Sequence, residues 1–204
     1  MEFSLSSSAL VLLTATYFLG AIPFGLLFAK WLTGKDPREH GSGNIGATNA
    51  LRTGGKTVGI CTLLADIVKG VLPVSLAIYM GFHEFEIACI ALTAFLGHIF
   101  PVYLKFQGGK GVATMYGVLI PWLPWVAVLS FIIWFITFKS TRFVALASIL
   151  AGAALPLFAW LLNSSSEAWI SCFILASIMI VRHCTNIQRL IAGTEPQTGG
   201  EKKG

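Results

Sequence analysis

Charge is what this chain has least of. Among its 204 residues only 11% are Asp, Glu, Lys or Arg, while 55% are hydrophobic and the mean hydropathy is +0.78. A soluble domain carries about 25% charged residues, so a water-exposed globular surface is excluded. Disorder is excluded as well, because apolar surface is plentiful. Cysteine is scarce: Cys61, Cys89, Cys172 and Cys184 form no CxxC pair and no Cys/His pattern, so neither a disulfide framework nor a zinc site is expected. Acidic residues number nine and form no cluster suited to a metal ion, which disfavours magnesium-dependent phosphotransfer. No metal and no cofactor are expected. There is no repeat with a period of 20 to 50 residues and no linker between domains, so one membrane domain over 1–192 is expected, followed by a disordered polar tail over 193–204.

Long apolar runs take the place of charge. A helix crosses a bilayer with about 20 apolar residues. Six runs approach or exceed that length: Ala9 to Trp31, Thr57 to Met80, Glu86 to Leu104, Trp122 to Phe138, Phe143 to Leu162 and Glu167 to Ile187. A seventh, Val112 to Ile120, is too short to span alone. With Lys30 placed at the end of the first run, 13 of the 14 basic residues fall in alternate breaks, and the fourteenth, Lys69, lies inside the second run. Positive charge marks the cytoplasmic side. Strict alternation holds only if the short run crosses. The expectation is therefore an all-α integral membrane protein with seven transmembrane helices, N-terminus outside and C-terminus cytoplasmic. The first run lacks a basic n-region and is too long for a signal-peptide core.

Three polar segments lie in the cytoplasmic breaks. Residues 41–52, Gly-Ser-Gly-Asn-Ile-Gly-Ala-Thr-Asn-Ala-Leu-Arg, hold three glycines, Ser42, Asn44, Thr48, Asn49 and Arg52, and no acidic residue occurs from Gly41 to Thr53. Glycines let backbone N–H groups converge on an anion, and an arginine can grip phosphate bidentately. A flexible polar loop is the simpler reading, and the missing acids favour the anion site. Residues 106–114, Phe-Gln-Gly-Gly-Lys-Gly-Val-Ala-Thr, form a glycine-rich turn with Lys110 that opens onto an apolar helix. A helix N-terminus is a ready phosphate cradle. This is no Walker A loop; the nearest approach, Gly54-Gly55-Lys56-Thr57, has Ala50 where the leading glycine is required. The third segment is Arg182-His-Cys-Thr-Asn-Ile-Gln-Arg-Leu190. His183 and Asn186, three apart, can share a helix face; a snorkelling interfacial histidine and a functional one are both open here. Asp66 and Lys69, also three apart, read most simply as a structural ion pair facing the bundle interior. His98, near the inner end of the third run, carries the same two readings. Together the segments suggest one cytoplasmic-facing site for phosphate beside lipid.

Familiar catalytic groups are missing. There is no G-x-S-x-G nucleophile elbow, and no histidine is followed five residues later by aspartate, so the His/Asp pair of the common lipid acyltransferases is absent. A reaction here needs an activated substrate, with the protein supplying position and electrostatics. An organic-phosphate transporter is the rival, but the outer breaks offer only His83 and acidic residues, which repel anions.

Residues 41–52, Gly108-Gly-Lys-Gly-Val-Ala-Thr114 and 182–190 resemble the three signature motifs of the PlsY family, bacterial acyl-phosphate:glycerol-3-phosphate acyltransferases. Asp66-Ile-Val-Lys69-Gly70 and Gly97-His98-Ile-Phe-Pro101-Val are also similar to it. Cys184 and Thr185 depart from the residues usual in the third motif. The resemblance implies a seven-helix fold in the bacterial inner membrane with the site facing the cytoplasm. It implies transfer of an acyl group from acyl phosphate to the 1-hydroxyl of sn-glycerol 3-phosphate, giving lysophosphatidic acid and phosphate, the first acylation of phospholipid synthesis. By the same resemblance Ser42, Asn44, Thr48 and Asn49 bind phosphate or hold the loop. Arg52 and Lys110 clamp glycerol 3-phosphate. Gly108, Gly109 and Gly111 offer N–H groups to acyl phosphate. His183 and Asn186 position the glycerol moiety or its phosphate, and Ser148 lines the site. Partners are the two substrates and membrane lipid, with functional coupling to the enzyme that makes acyl phosphate and no nucleic acid.

Overall fold

The computed structural model describes residues 5–198, and the regular elements among them are all helical. Two compact units divide the chain, one ending at Trp122 and the other beginning at Leu123. No linker in the sequence marks this division. The boundary falls in the Pro121–Pro124 interruption, where two prolines close together withhold backbone donors and favour a helix break.

The first unit holds α1 (Ser7–Ala21), α2 (Phe24–Thr33), α3 (Ala47–Tyr79), α4 (Glu84–Ile99), a 3-10 turn (Val102–Leu104) and α5 (Val112–Trp122). The first apolar run is two helices rather than one. Ile22 and Pro23 leave helical geometry, since proline has no N–H and pushes the residue before it out of the α region. Helix α4 packs on α1, and α5 packs on α3. Gly20 and Gly97 allow the first crossing: a Cβ on Gly97 would meet the Tyr17 carbonyl oxygen at 2.7 Å. Gly70 and Gly117 allow the second, where a Cβ on Gly70 would meet the Thr114 carbonyl oxygen at 2.8 Å. Small residues at crossings are how helices associate without a hydrophobic driving force between them. Helix α3 begins ten residues before the expected Thr57, so the second half of the first motif is helical and not loop. It bends at Gly55 (φ 84°, ψ −177°), a backbone conformation that glycine tolerates.

The second unit holds α6 (Pro124–Thr141), α7 (Val144–Ala153), α8 (Leu155–Leu161), α9 (Ser166–Val181) and α10 (Cys184–Ile191). Ser130 Oγ donates to the Ala151 carbonyl at 3.0 Å and ties α6 to α7. Helices α9 and α10 meet at a 58° bend, so the last apolar run stops short of Ile187 as a straight helix. Trp125, Phe135, Trp160 and Phe173 are exposed, as side chains facing lipid are.

Among the described residues, five helical segments are long and apolar enough to cross a membrane: Ser7–Thr33, Ala47–Tyr79, Glu84–Leu104, Pro124–Thr141 and Val144–Leu161; a sixth is counted if the bent α9–α10 pair is one span. The chain is thus an all-helical membrane protein. Helix α5, at about 1.5 Å per residue, is shorter than the hydrocarbon core of about 30 Å, and the expected count of seven hangs on it.

Candidate active site

The first polar segment is a corner between α2 and α3. Ahead of it, Asp36 binds Arg38 Nη2 at 2.7 Å and Lys30 Nζ at 3.3 Å. The Arg38 guanidinium holds its carboxyl well below the usual carboxylate range, against the opposing effect of burial. Asn49, 2% exposed, organises the loop that follows. Its Nδ2 donates to the carbonyls of Pro37 (2.7 Å), Asn44 (2.8 Å) and His40 (3.1 Å), and its Oδ1 accepts from Ser42 N–H (2.9 Å). Asn44 Oδ1 accepts from Gly46 N–H at 2.8 Å. Of the two roles open to Asn49, holding the loop is the one its bonds perform. Ser42 and Arg52 are exposed, and Thr48 is half-buried in the first turn of α3. That turn starts from Gly46 and contains no acidic residue; Asn49 N–H already donates to the Gly46 carbonyl, and the N–H groups of Ala47 and Thr48, which precede the first intrahelical bonds, favour an anion.

The second segment lies on the end of α4. Lys105 and Phe106 take positive φ (51° and 63°) and turn the chain back. Gly108 N–H then donates to the Ile99 carbonyl (3.1 Å) and Gly109 N–H to the His98 carbonyl (3.2 Å). These two N–H groups, expected to face acyl phosphate, are spent on α4, because the loop must satisfy its own backbone where it is half-buried. Close approach is what these glycines provide: a Cβ on Gly109 would overlap the His98 imidazole, and one on Gly111 would overlap the Phe95 ring. Lys110 is half-buried between them, and Gly111 leads directly into α5.

Behind this loop lies a buried charge cluster. Asp66 Oδ1 is 2.8 Å from Lys69 Nζ and 3.6 Å from His98 Nδ1. Lys69 Nζ also donates to the Ile22 carbonyl at 3.2 Å, an oxygen exposed by the α1–α2 break. The i, i+3 ion pair is present, and His98 joins it. Sequence spacing offered no means of linking His98 to α3.

In the second unit the third segment is the α9–α10 bend. His183, 3% exposed, places Nδ1 2.8 Å from the Met179 carbonyl. A carbonyl only accepts, so Nδ1 carries the hydrogen, and the neutral ring has its lone pair on Nε2. Asn186 Nδ2 donates to Glu195 Oε1 and Arg189 Nε to Glu195 Oε2, each at 2.7 Å. Glu195 belongs to the stretch expected to be disordered. The described part of it, 193–198, is instead bonded: Gly193 (φ 68°) reverses the chain after α10, Thr194 N–H donates to the Arg189 carbonyl at 2.8 Å, and Thr198 N–H donates to the Arg142 carbonyl at 3.0 Å. Residues 199–204 lie outside the described residues. The signal for Glu195 was a lone carboxylate just past a helix-ending glycine, within reach of Arg189. Ser148 is a packing hydroxyl in its unit, donating to the Val144 carbonyl (2.9 Å) and accepting from Trp134 Nε1 (3.2 Å).

The family model described as Glycerol-3-phosphate acyltransferase matches residues 10–193. The glycerol-3-phosphate acyltransferase of Methylobacillus flagellatus is 45% identical over 189 residues, 93% of this chain and 96% of the relative. That of Geobacter sulfurreducens is 46% identical over 187 residues, 91% of this chain and 95% of the relative. Among solved structures, the glycerol 3-phosphate form of PlsY (YgiH), an integral membrane glycerol 3-phosphate acyltransferase, superposes with a TM-score of 0.90 at 38% identity, over 95% of this chain and 96% of that one. The lysophosphatidic acid form gives 0.87 at 36% identity, over the same shares of the two chains.

Proposed function

The chain belongs to the glycerol-3-phosphate acyltransferase family and is a membrane acyltransferase of phospholipid synthesis, and on that premise we propose that its acyl donor is acyl phosphate. The 1-hydroxyl oxygen of glycerol 3-phosphate attacks the acyl carbonyl carbon. The anhydride C–O bond breaks, phosphate leaves with the electron pair, and the hydroxyl proton passes to a phosphate oxygen of the substrates. The products are lysophosphatidic acid and inorganic phosphate.

The observation that carries this is the setting of His183. Its Nδ1 is committed to a backbone carbonyl, not to the carboxylate that orients the base in a nucleophile–base pair. A mixed anhydride has a good leaving group and needs chiefly positioning and anion binding. Arg52 and Lys110 clamp the phosphate of glycerol 3-phosphate, with Ser42, Asn44, Thr48 and the first turn of α3 as further donors. Gly109 and Gly111 set the path of the loop that carries Lys110. His183 and Asn186 position the glycerol hydroxyls. The short helix α5 completes a count of seven spans, with the N-terminus outside and the C-terminus and motifs cytoplasmic in a bacterial inner membrane. The alternation of basic residues supports that orientation, and it faces the site towards the enzyme that supplies acyl phosphate.

Purified protein in detergent, given glycerol 3-phosphate with palmitoyl phosphate, palmitoyl-CoA or palmitoyl-acyl carrier protein, should form lysophosphatidic acid from the first donor alone. Turnover with either thioester and none with acyl phosphate would overturn the donor assignment. Lys110→Ala should lower kcat/KM by about 100-fold, some 2.7 kcal/mol of lost stabilisation, with folding intact. Wild-type activity would remove Lys110 from the site.

A further inference from the structure

Lys69 and Asp66 have a structural account. The break at Ile22–Pro23 exposes a carbonyl within apolar surroundings, Lys69 satisfies it at 3.2 Å, and Asp66 neutralises Lys69 at 2.8 Å. His98 is not needed for that. It is 4% exposed among apolar helices, where an aliphatic side chain costs less than a polar ring. Both edges of its ring are occupied. Nδ1 lies 3.6 Å from Asp66 Oδ1, an electrostatic contact longer than a hydrogen bond, and Nε2 lies against Gly109, where a Cβ would overlap it. The His98 carbonyl accepts the Gly109 N–H at 3.2 Å, and the next carbonyl accepts the Gly108 N–H at 3.1 Å. Rotating the ring would either lose Asp66 or strike Gly109. One residue on is Lys110.

We propose that Asp66 and His98 are positioning residues for the glycine loop: the carboxylate on α3 fixes the imidazole, and the imidazole fixes Gly109 and thereby the placement of Lys110 for the substrate phosphate. The role rests on the acyltransferase reading above. A displacement of about 1 Å at a binding group is enough to cost 100-fold in rate, so a rigid prop under this loop has a kinetic consequence distinct from fold stability. Lys110 holds the phosphate of glycerol 3-phosphate, whose C–O and P–O bonds stay intact in the transfer. Loosening it therefore weakens ground state and transition state alike, and the effect appears in KM.

The test is steady-state kinetics on the full chain in detergent, with melting temperatures alongside, for His98→Leu, Asp66→Asn and His98→Asn. The first two should raise KM for glycerol 3-phosphate about 10-fold or more while kcat stays within about three-fold; melting should stay close to wild type in His98→Leu and fall in Asp66→Asn, which leaves the buried Lys69 charge without its counter-ion. His98→Asn, which keeps an N–H near the Nδ1 position for Asp66 but not the ring edge against Gly109, should recover only part of the KM. A KM within two-fold of wild type in either folded variant would overturn the proposal. So would a loss confined to kcat, an Asn variant no better than the Leu variant, or failure of both His98→Leu and Asp66→Asn to fold, which would mark a structural role only. Wild-type protein that forms no lysophosphatidic acid in the same assay would instead overturn the acyltransferase reading beneath it.

Discussion

Two glycine-rich loops of the first unit, 41–44 and 108–111, look alike in composition and are built differently. The first hangs from a side chain: the Asn49 amide gathers three carbonyls and one N–H around itself, and Gly41 and Gly43 are there for positive φ (63° and 71°). The second hangs from the main chain of α4, with Gly108 and Gly109 present because His98 and Pro101 leave no room for a Cβ. Glycine density therefore had two causes, positive φ and close approach; close approach prevails at Gly108 and Gly109, while Gly41, whose Cβ would overlap Asn49 Oδ1, and Gly111, at φ 83°, combine the two. In both, polar groups that composition offers to an anion are spent on the loop itself. The proposed grip on phosphate then rests on Arg52, Lys110 and the first turn of α3 more than on a nest of glycine N–H groups.

The comparison breaks most sharply at Gly109. Gly109→Ala puts a methyl group into the His98 ring with no flexible chain end to yield. It should lower kcat/KM by at least about 100-fold, the scale on which misplaced binding groups act. An alanine variant within a few-fold of wild type would mean that the loop is not pinned to His98. Asn49→Ala attacks the other construction. Carbonyls at Pro37 and Asn44 lose their donor and Ser42 N–H loses its acceptor, at a cost of about 1–3 kcal/mol for a buried polar group left unsatisfied. The expected result is a lower melting temperature in detergent, with lost activity following the loss of folded protein. If instead Asn49→Ala melts like wild type and loses only activity, Asn49 binds substrate and the loop is held by other means.

Much of this was legible in the sequence, for definite physical reasons. Apolar runs and alternating basic charge report directly on bilayer thickness and on the positive-inside bias, so most helices lie where the runs lie. Breaks were harder. Ile22–Pro23 sits inside an apolar run, and hydropathy is blind to a missing N–H; the start of α3 at Ala47 was hidden because Gly, Asn and Thr read as loop, while Asn49 in fact serves α3 and the loop at once. His98 and Asp66 are 32 positions apart, and only the packing of α4 on α3 joins them. Glu195 was lost to a reading of composition. Polar, Gly- and Lys-rich composition around it suggested disorder, whereas Gly193 turns the chain so that a single carboxylate meets Asn186 and Arg189.

The smallest expected effect concerns how the first loop is anchored at its base. Asp36 is clasped by Arg38 and Lys30, whereas the second loop is tied to α4 through the Gly108 and Gly109 N–H groups. Because Arg38 holds the Asp36 carboxyl below its ordinary value in the folded state, the folded protein binds that proton less readily than the unfolded chain does. The clasp therefore contributes stability that is fully present above about pH 4, the unfolded carboxylate range, and is lost as pH falls through the lower folded value. Asp36→Asn removes the charge at every pH. Thermal unfolding in detergent from pH 8 down to pH 3 should show the variant slightly less stable than wild type at neutral pH, with the gap narrowing only on the acid side. High salt should shrink the gap too, since Lys30 and Arg38 are partly exposed and such pairs are screened. No gap at any pH from 8 to 3 would mean that Asp36 anchors the loop through the hydrogen bond its Oδ1 accepts from Arg38 N–H, which an Asn oxygen can also accept, in which case both loops are held in the same way, by main-chain donors.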